Sequence, residues 1–162
     1  MSLRRSLCFY TPSADPSGMG VHMLDLVAES VETADVSLMA RRDHRAGWLL
    51  DRAAELGTRT VPLPSPRNPA FGGVITEFFR KYPVDVFHCH VGTGSENWDG
   101  VRLARAARCP AVVQTQHLPY LVSHPRKRQG YKHSIEGVDR LIAVSEGCGG
   151  PMSGSASRRS GS

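Results

Sequence analysis

The sequence has few cysteines and no long hydrophobic run, and both absences exclude whole classes of protein. Its four cysteines are scattered and none belongs to a Cys-x-x-Cys pair, so neither a zinc ribbon nor a disulfide framework is indicated. No stretch approaches the roughly 20 apolar residues of a membrane-spanning helix, and the first residues lack the apolar core of a signal peptide. These features predict reduced, mostly buried thiols, no transmembrane segment and a cytoplasmic location.

The usual nucleotide-binding signatures are missing too. There is no Gly-x-Gly-x-x-Gly dinucleotide fingerprint, no P-loop and no familiar nucleic-acid-binding motif. The formal net charge is +5, and part of the positive charge lies in residues 124–133 and in Arg158-Arg159. Such a balance permits anionic partners, such as nucleotides, phosphates or an acidic membrane surface, without indicating nucleic acid.

Apolar runs that suit buried strands alternate with helical patterns along the chain. This alternation predicts βαβ units with right-handed crossovers. The predicted fold class is α/β: a three-layer Rossmann-like domain with a mostly parallel sheet of about six strands and helices on both faces. The predicted strands are 6–10, 34–40, 59–63, the stretch 84–92, 111–116 and 139–145.

The connecting segments predict helices that begin at Val21 and around Glu96, and helices over 43–56 and 70–81. A linker rich in charge and proline follows the fifth strand, then a short amphipathic piece that ends at Val138. Residues 147–162 contain ten Gly or Ser residues and no large aliphatic or aromatic one. We therefore expect one domain over residues 1–146 and a disordered tail over 147–162.

Three of the predicted strands end in polar or glycine-rich residues. The first runs into the loop 11–20, the stretch 84–92 contains His88 and His90, and the fifth strand runs into His117. The carboxyl ends of parallel strands gather at one edge of a sheet, where ligands bind. We therefore expect the functional site at this edge.

The residues alone are compatible with two interpretations of the histidines. His88 and His90 project to the same face of a strand, and with His117 they could hold a metal, as in a metal-dependent hydrolase. Apart from Asp15 and Asp99, the carboxylate ligands usual in such sites are not placed at the other strand ends. Buried or ligand-lining histidines are therefore favoured, and no metal or other cofactor is predicted.

The loop before the first helix carries the other candidate site. Gly18 and Gly20 lie where backbone N–H groups and the positive end of a helix dipole would meet an anion. A plain tight turn is equally compatible with this pattern.

Four motifs in this order resemble the amino-terminal, acceptor-side domain of glycosyltransferase family 4 enzymes, which have the GT-B fold. They are Pro16–His22, Asp85–His90, Val112–His117 and Asp139–Glu146. The resemblance covers residues 3–146. It implies a retaining, metal-independent enzyme with two Rossmann-like domains, of which the first mainly binds the acceptor and the second binds a nucleotide sugar.

The resemblance also implies roles for residues in the first motif. Gly18 and Gly20 would lie close to the donor diphosphate, because their missing side chains allow the backbone to approach. His22, at the end of the same motif, is counted among the substrate-binding residues.

Later motifs supply the remaining site residues. By the same resemblance, His117 would lie beside the transferred sugar as the catalytic residue, and His90 would line the cleft. Arg126 and Lys127 would face the acceptor side. By default these two cations belong to a solvated loop, and weak contact with a membrane surface is a minority hypothesis.

The sequence departs from the family in lacking the donor domain. We therefore expect that the chain is truncated before that domain and is inactive alone. In the complete enzyme its partners would be a nucleotide-sugar donor and an acceptor. A second chain that supplies the missing domain is a further candidate partner. The alternative is a non-catalytic, Rossmann-like module that binds a sugar or phosphate or docks onto a partner.

Overall fold

The computed structural model describes residues 4–93, 96, 99–118 and 124–145. They form a six-stranded, fully parallel sheet in the order β3-β2-β1-β4-β5-β6. The predicted α/β fold class is thereby confirmed. Because the strand order reverses between β1 and β4, a crevice opens there at the carboxyl edge. The strands are β1 (Arg5–Tyr10), β2 (Ala34–Arg41), β3 (Arg59–Leu63), β4 (Val86–Val91), β5 (Ala111–Gln116) and β6 (Arg140–Ala143).

Helices cover both faces of the sheet. Two of them pack on one face with Phe9 and Leu38, and others pack on the opposite face with Tyr10 and Phe87. Adjacent residues of β1, Phe9 and Tyr10, thus enter different cores because side chains alternate along a strand. The helices are α1 (Ser17–Ser30), α2 (Gly47–Glu55), α3 (Phe71–Lys81), α4 (Gly100–Ala106) and α5 (Pro125–Ile135).

Three of the four cysteines lie among the described residues. Cys8, Cys89 and Cys109 are free and buried, as predicted, and burial raises the pKa of all three thiols. They pack in the core on the α3 and α4 side of the sheet. These thiols therefore act as small apolar side chains and are poor nucleophiles.

The first helix begins earlier than the sequence predicts. Helix α1 starts at Ser17, so Gly18 and Gly20 lie in its first turn and not before it. A Cβ atom at Gly20 would come within 2.9 Å of two ring atoms of Trp48. Close packing of α1 against α2 thus requires this glycine, and outweighs the roughly 1 kcal/mol that glycine costs in a helix.

The segment after β5 also differs from the prediction. Residues 125–135 form helix α5, where the sequence indicated a linker rich in charge and proline and then a short amphipathic piece ending at Val138. Pro125 occupies the first turn, and the His124 ring accepts a hydrogen bond from the backbone N–H of Arg126 at 3.2 Å. A histidine cap is unusual, which is why the sequence did not show this helix start.

Two smaller corrections concern helix starts. Helix α2 begins at Gly47, because residues 43–46 form a turn in which Asp43 accepts from the backbone N–H of Ala46. Helix α4 begins at Gly100 and not around Glu96. The predicted tail over 147–162 lies outside the described residues. Over the described ranges, every helix is too short or too polar to cross a bilayer.

Candidate functional site

A crevice of about 840 Å³ lies at the carboxyl edge of the sheet. The ends of β4 and β5 form one end of it, with His90 and His117. The loop 11–16 and the first turn of α1 run along its middle. The segments after β2 and β3 form the other end, with Arg41 and Arg67. This crevice therefore lies at the edge of the sheet where the sequence predicts the functional site.

Four histidine rings cluster at the β4 and β5 end of the crevice. The rings of His88 and His90 stack with centroids 4.2 Å apart, as expected for side chains on one face of a strand. The His22 ring, from α1, lies 5.9 Å from His90 and 5.4 Å from His117. Sheet and helix therefore assemble in space histidines that lie far apart in sequence.

A direct hydrogen bond joins the two histidines nearest the crevice. His90 Nδ1 lies 3.1 Å from His117 Nε2. His90 is fully buried, and its Nε2 atom has no partner among the described residues. A buried N–H without an acceptor is costlier than an unused lone pair. We therefore assign the His90 proton to Nδ1, which donates to His117 Nε2.

This assignment determines the tautomer of His117. Because its Nε2 accepts, a neutral His117 carries its proton on Nδ1. Burial, and secondarily the nearby His22, lowers the pKa of His117, so the neutral ring prevails at neutral pH. His117 therefore presents a neutral N–H donor at the rim of the crevice.

Deeper in the cluster, the histidines are held neutral by burial. Desolvation, followed by the charges of His22 and His117, lowers the pKa of His88 to about 4. Burial places the pKa of His90 well below its usual range as well. His88 Nε2 lies 2.8 Å from Thr115 Oγ1 of β5, which fixes this ring. The inner pair therefore serves as a rigid support for His117.

The cluster does not have the geometry of a metal centre. In the part of the chain that the structure describes, no group of three or more His, Cys, Asp or Glu side chains is arranged to hold a metal ion. The His90 lone pair that would be needed is buried beneath the other rings. Hydrogen bonding and stacking, and not ligation, organise these histidines.

The two glycines of the first motif occupy different surroundings. Gly18 lines the crevice, is exposed, and would have open space around a Cβ atom. Gly20 is buried against Trp48, and its N–H already donates to the Pro16 carbonyl oxygen at 2.9 Å. Only Gly18 is thus brought to the site. The diphosphate-binding role of both glycines stays a prediction.

The basic residues expected on the acceptor side do not line the crevice. Arg126 and Lys127 lie exposed near the start of α5. Tyr131 is the buried residue of that helix, and its hydroxyl lies 3.1 Å from Gln116 Oε1. The structure therefore separates these two cations from the histidine cluster, and their acceptor role stays a prediction.

Sequence reasoning missed two cations of the crevice. Arg41 is the last residue of β2, and Arg67 follows β3 by four residues. Both line the cavity. The signal that could have found them is the one used for the histidines, namely polar residues at the carboxyl ends of parallel strands.

Comparisons with known proteins agree with this fold. A glycosyltransferase from Rickettsia africae ESF-5 superposes with a TM-score of 0.62 at 18% identity, over 88% of this chain and 38% of that one. A putative NADPH:quinone reductase from Mesorhizobium loti reaches only 0.45 at 11% identity, over 86% of this chain and 36% of that one. The likeness to the Rickettsia protein is at the level of fold. The chain spans about two fifths or less of both neighbours.

Sequence comparison is more specific. None of the curated proteins matches the chain. The family model of the glycosyl transferase 4-like domain matches residues 17–153, which include α1, the histidine strand β4 and the strand that ends at His117. The match covers most of the chain, and the site described above lies largely within it. The chain therefore belongs to the glycosyl transferase 4-like domain family.

Proposed function

We propose that this chain forms the acceptor-side part of a glycosyltransferase that moves a sugar from a nucleotide-sugar donor to an acceptor, with retention and without a metal. Family membership supports the reaction class. The observation that carries the proposal is the partly buried hydrogen bond from His90 to His117 at the edge of the crevice. It supplies one oriented donor where the strand order reverses.

His117 would bind and orient the transferred sugar. Its Nδ1–H donates to a sugar hydroxyl, while His90 holds the ring in the required tautomer and orientation. His90 is therefore a positioning residue. Neutral rings suit this task because they offer a directed hydrogen bond without attracting a stray anion into the crevice.

The departing diphosphate would lie by the first turn of α1. This helix is 14 residues long, has no acidic residue in its first turn, and its Pro16 cap provides no side-chain hydrogen bond. The positive end of its dipole and the open space at Gly18 favour an anion there. Electrostatic stabilisation of the leaving group is the main catalytic contribution expected from this chain.

The complete cleft would need a second domain to bind most of the nucleotide. We therefore expect weak binding of nucleotide sugars by the 162-residue chain, and no turnover.

The test is saturation-transfer NMR with the full chain and a panel of nucleotide sugars. Wild type and His44→Ala, an exposed control outside the crevice, should give the same sugar-proton signals, and His117→Ala should lose them. Product analysis on the same samples should show intact donor. Equal signals in His117→Ala and wild type contradict the role of His117, and steady donor turnover contradicts inactivity alone.

A second candidate function is partner docking without catalysis, and one observation favours it. Strand β6 is exposed along its whole length, and Leu141, Ile142 and Val144 are 39–49% exposed. An apolar edge of this kind marks an interaction site. Ile142-dependent self-association, combined with no nucleotide-sugar binding, would favour this second function.

A further inference from the structure

The crevice is longer than the histidine cluster requires. Arg41 ends β2, and His117 follows β5, three strand spacings away in the sheet order. At the usual spacing of strands, these two positions are about 14 Å apart across the sheet. A sugar beside His117 would leave the end near β2 and β3 free for a second ligand.

Arg41 has unused hydrogen-bonding capacity at that end. Its Nη2 donates to Asp43 Oδ2 at 2.8 Å, and the side chain is 21% exposed. Its Nε–H is buried and has no partner among the described residues. An unpaired buried N–H of a charged group is destabilising, so Asp43 alone leaves the Arg41 guanidinium incompletely satisfied.

Arg67 adds a second positive charge on the same stretch of the crevice wall. It is exposed, and no described carboxylate lies within ion-pair distance of its guanidinium. The two lining carboxylates are engaged elsewhere: Asp15 pairs with Arg45 at 3.6 Å, and Glu96 accepts two hydrogen bonds from Thr93. This end of the crevice is therefore positively charged.

We propose that the acceptor carries an oxyanion, a phosphate or a carboxylate, and that Arg41 and Arg67 bind it. The inference rests on the proposed function and names the chemical class of its acceptor. Guanidinium groups present paired N–H donors that match the oxygens of these anions. A neutral acceptor would leave Arg67 without a counter-charge among the described residues, whereas Arg41 keeps its ion pair with Asp43.

The position of the arginines also determines where the anion lies on the acceptor. With the donor sugar at His117, the hydroxyl that receives it lies between the two ends of the crevice. The anionic group then lies at the end of the crevice opposite His117. This arrangement favours a small acceptor with its charge at the end opposite its reacting hydroxyl.

Calorimetric titration of the full chain with glucose 6-phosphate, glucuronate and glucose tests the proposal. Glucose 6-phosphate should bind at least about tenfold more tightly than glucose, since charge-assisted hydrogen bonds are involved. Equal gains for phosphate and glucuronate indicate a general oxyanion site, and a gain for one alone identifies the group. Equal affinities for all three ligands would overturn the inference.

Variants separate the two arginines from general charge effects. Arg67→Ala should reduce glucose 6-phosphate binding to the level of glucose, and Arg41→Gln should reduce it in the same direction. Arg42→Ala is the matched control, because Arg42 is exposed, pairs with Asp51 and does not line the crevice. An equal loss in Arg42→Ala and Arg67→Ala would show a net-charge effect and overturn the inference.

The nucleotide-sugar panel, measured on the same variants, distinguishes this inference from the proposed function. If Arg67→Ala also abolishes nucleotide-sugar binding, the arginines serve the donor diphosphate and the acceptor inference is wrong. If nucleotide sugars bind through His117 while glucose 6-phosphate does not bind, the inference fails alone. If only Arg67-dependent glucose 6-phosphate binding is seen, the anion site stands and the proposed function fails.

Discussion

Strand β4 at the centre of the sheet and strand β6 at its edge are both short apolar runs, yet β4 is largely buried and β6 is exposed. In β4, Phe87 and Cys89 are fully buried, between β1 and β5 and beneath helices. In β6, Leu141 and Ile142 are exposed, and among the described strands only β5 pairs with it. Apolar composition therefore predicts a strand, whereas its neighbours determine how much of it is buried.

The same contrast separates two groups of functional candidates. The histidines of β4 are held by stacked rings, by Thr115 and by a core on each face of the sheet. The basic residues of α5 lie exposed on a helix that buries only Tyr131. A rigid, desolvated site at the centre suits positioned chemistry, and an exposed edge suits contact with another surface.

The largest expected difference between centre and edge is in packing. Phe87→Ala should lower the free energy of unfolding by about 3–5 kcal/mol, because it leaves a cavity in a fully enclosed site. Leu141→Ala, the matched change on β6, should cost only about 0.5 kcal/mol, since part of that side chain is already in water. Urea unfolding measures both. Similar losses would mean that β6 is covered in solution.

The second largest effect on stability is expected at low pH, through the histidines at the centre of the sheet. Because His88 and His90 stay neutral in the fold, the unfolded chain binds more protons than the folded one below about pH 6.5. The free energy of unfolding should therefore fall from pH 6 to 5 by about 1.4 kcal/mol for each of them. Above pH 7 this effect should vanish.

A histidine variant tests whether His88 causes this pH dependence of the free energy of unfolding. His88→Gln should reduce the pH dependence of the free energy of unfolding by the contribution of one proton. Urea unfolding across pH 5 to 7 provides the measurement. An unchanged slope in His88→Gln would show that this ring is protonated in the fold.

Two glycine substitutions should change the stability of the chain in opposite directions. Gly20→Ala places a Cβ atom against Trp48 and should destabilise the chain by about 1–3 kcal/mol. Gly130→Ala, in α5, meets open space and should stabilise it by up to about 1 kcal/mol through helix propensity. Thermal unfolding compares the two. A neutral Gly20→Ala would show that α1 and α2 can move apart.

The smallest effect on stability is expected at the edge itself. Ile142→Lys should change the free energy of unfolding by less than about 0.5 kcal/mol, as for other exposed sites. If β6 docks onto another copy, the same change should abolish self-association, because a lysine on an edge strand opposes pairing. Sedimentation velocity reports this directly. Identical association of wild type and variant would exclude β6 as that interface.

Much of the fold could be predicted, since hydrophobic period and turn residues are local signals. Strands β3 and β5 have the predicted bounds. The packing role of Gly20 could not be predicted, because it depends on Trp48, which lies 28 residues later in the chain. Helix α5 was missed because its cap is a histidine and its exposed residues are mainly cationic and polar, so the pattern lacks an apolar period.

The candidate site was predictable to the extent that it follows strand ends. His90 and His117 are brought together as their positions after two parallel strands imply, and the resemblance added His22. Arg41 and Arg67 were overlooked, although they also follow strands. The unpaired Nε–H of Arg41 could not have been foreseen, because pairing depends on where Asp43 lies in space.

The sequence by itself determined the order of strands and helices, the parallel sheet and the edge at which polar residues gather, because these follow from local periodicity and chain connectivity. Only the tertiary structure decided which histidines touch, which tautomer they adopt, which glycine meets the crevice and where unpaired positive charge remains. Those properties depend on distances of a few ångströms between residues far apart in the chain. Such distances exist only once the two cores have packed against the sheet.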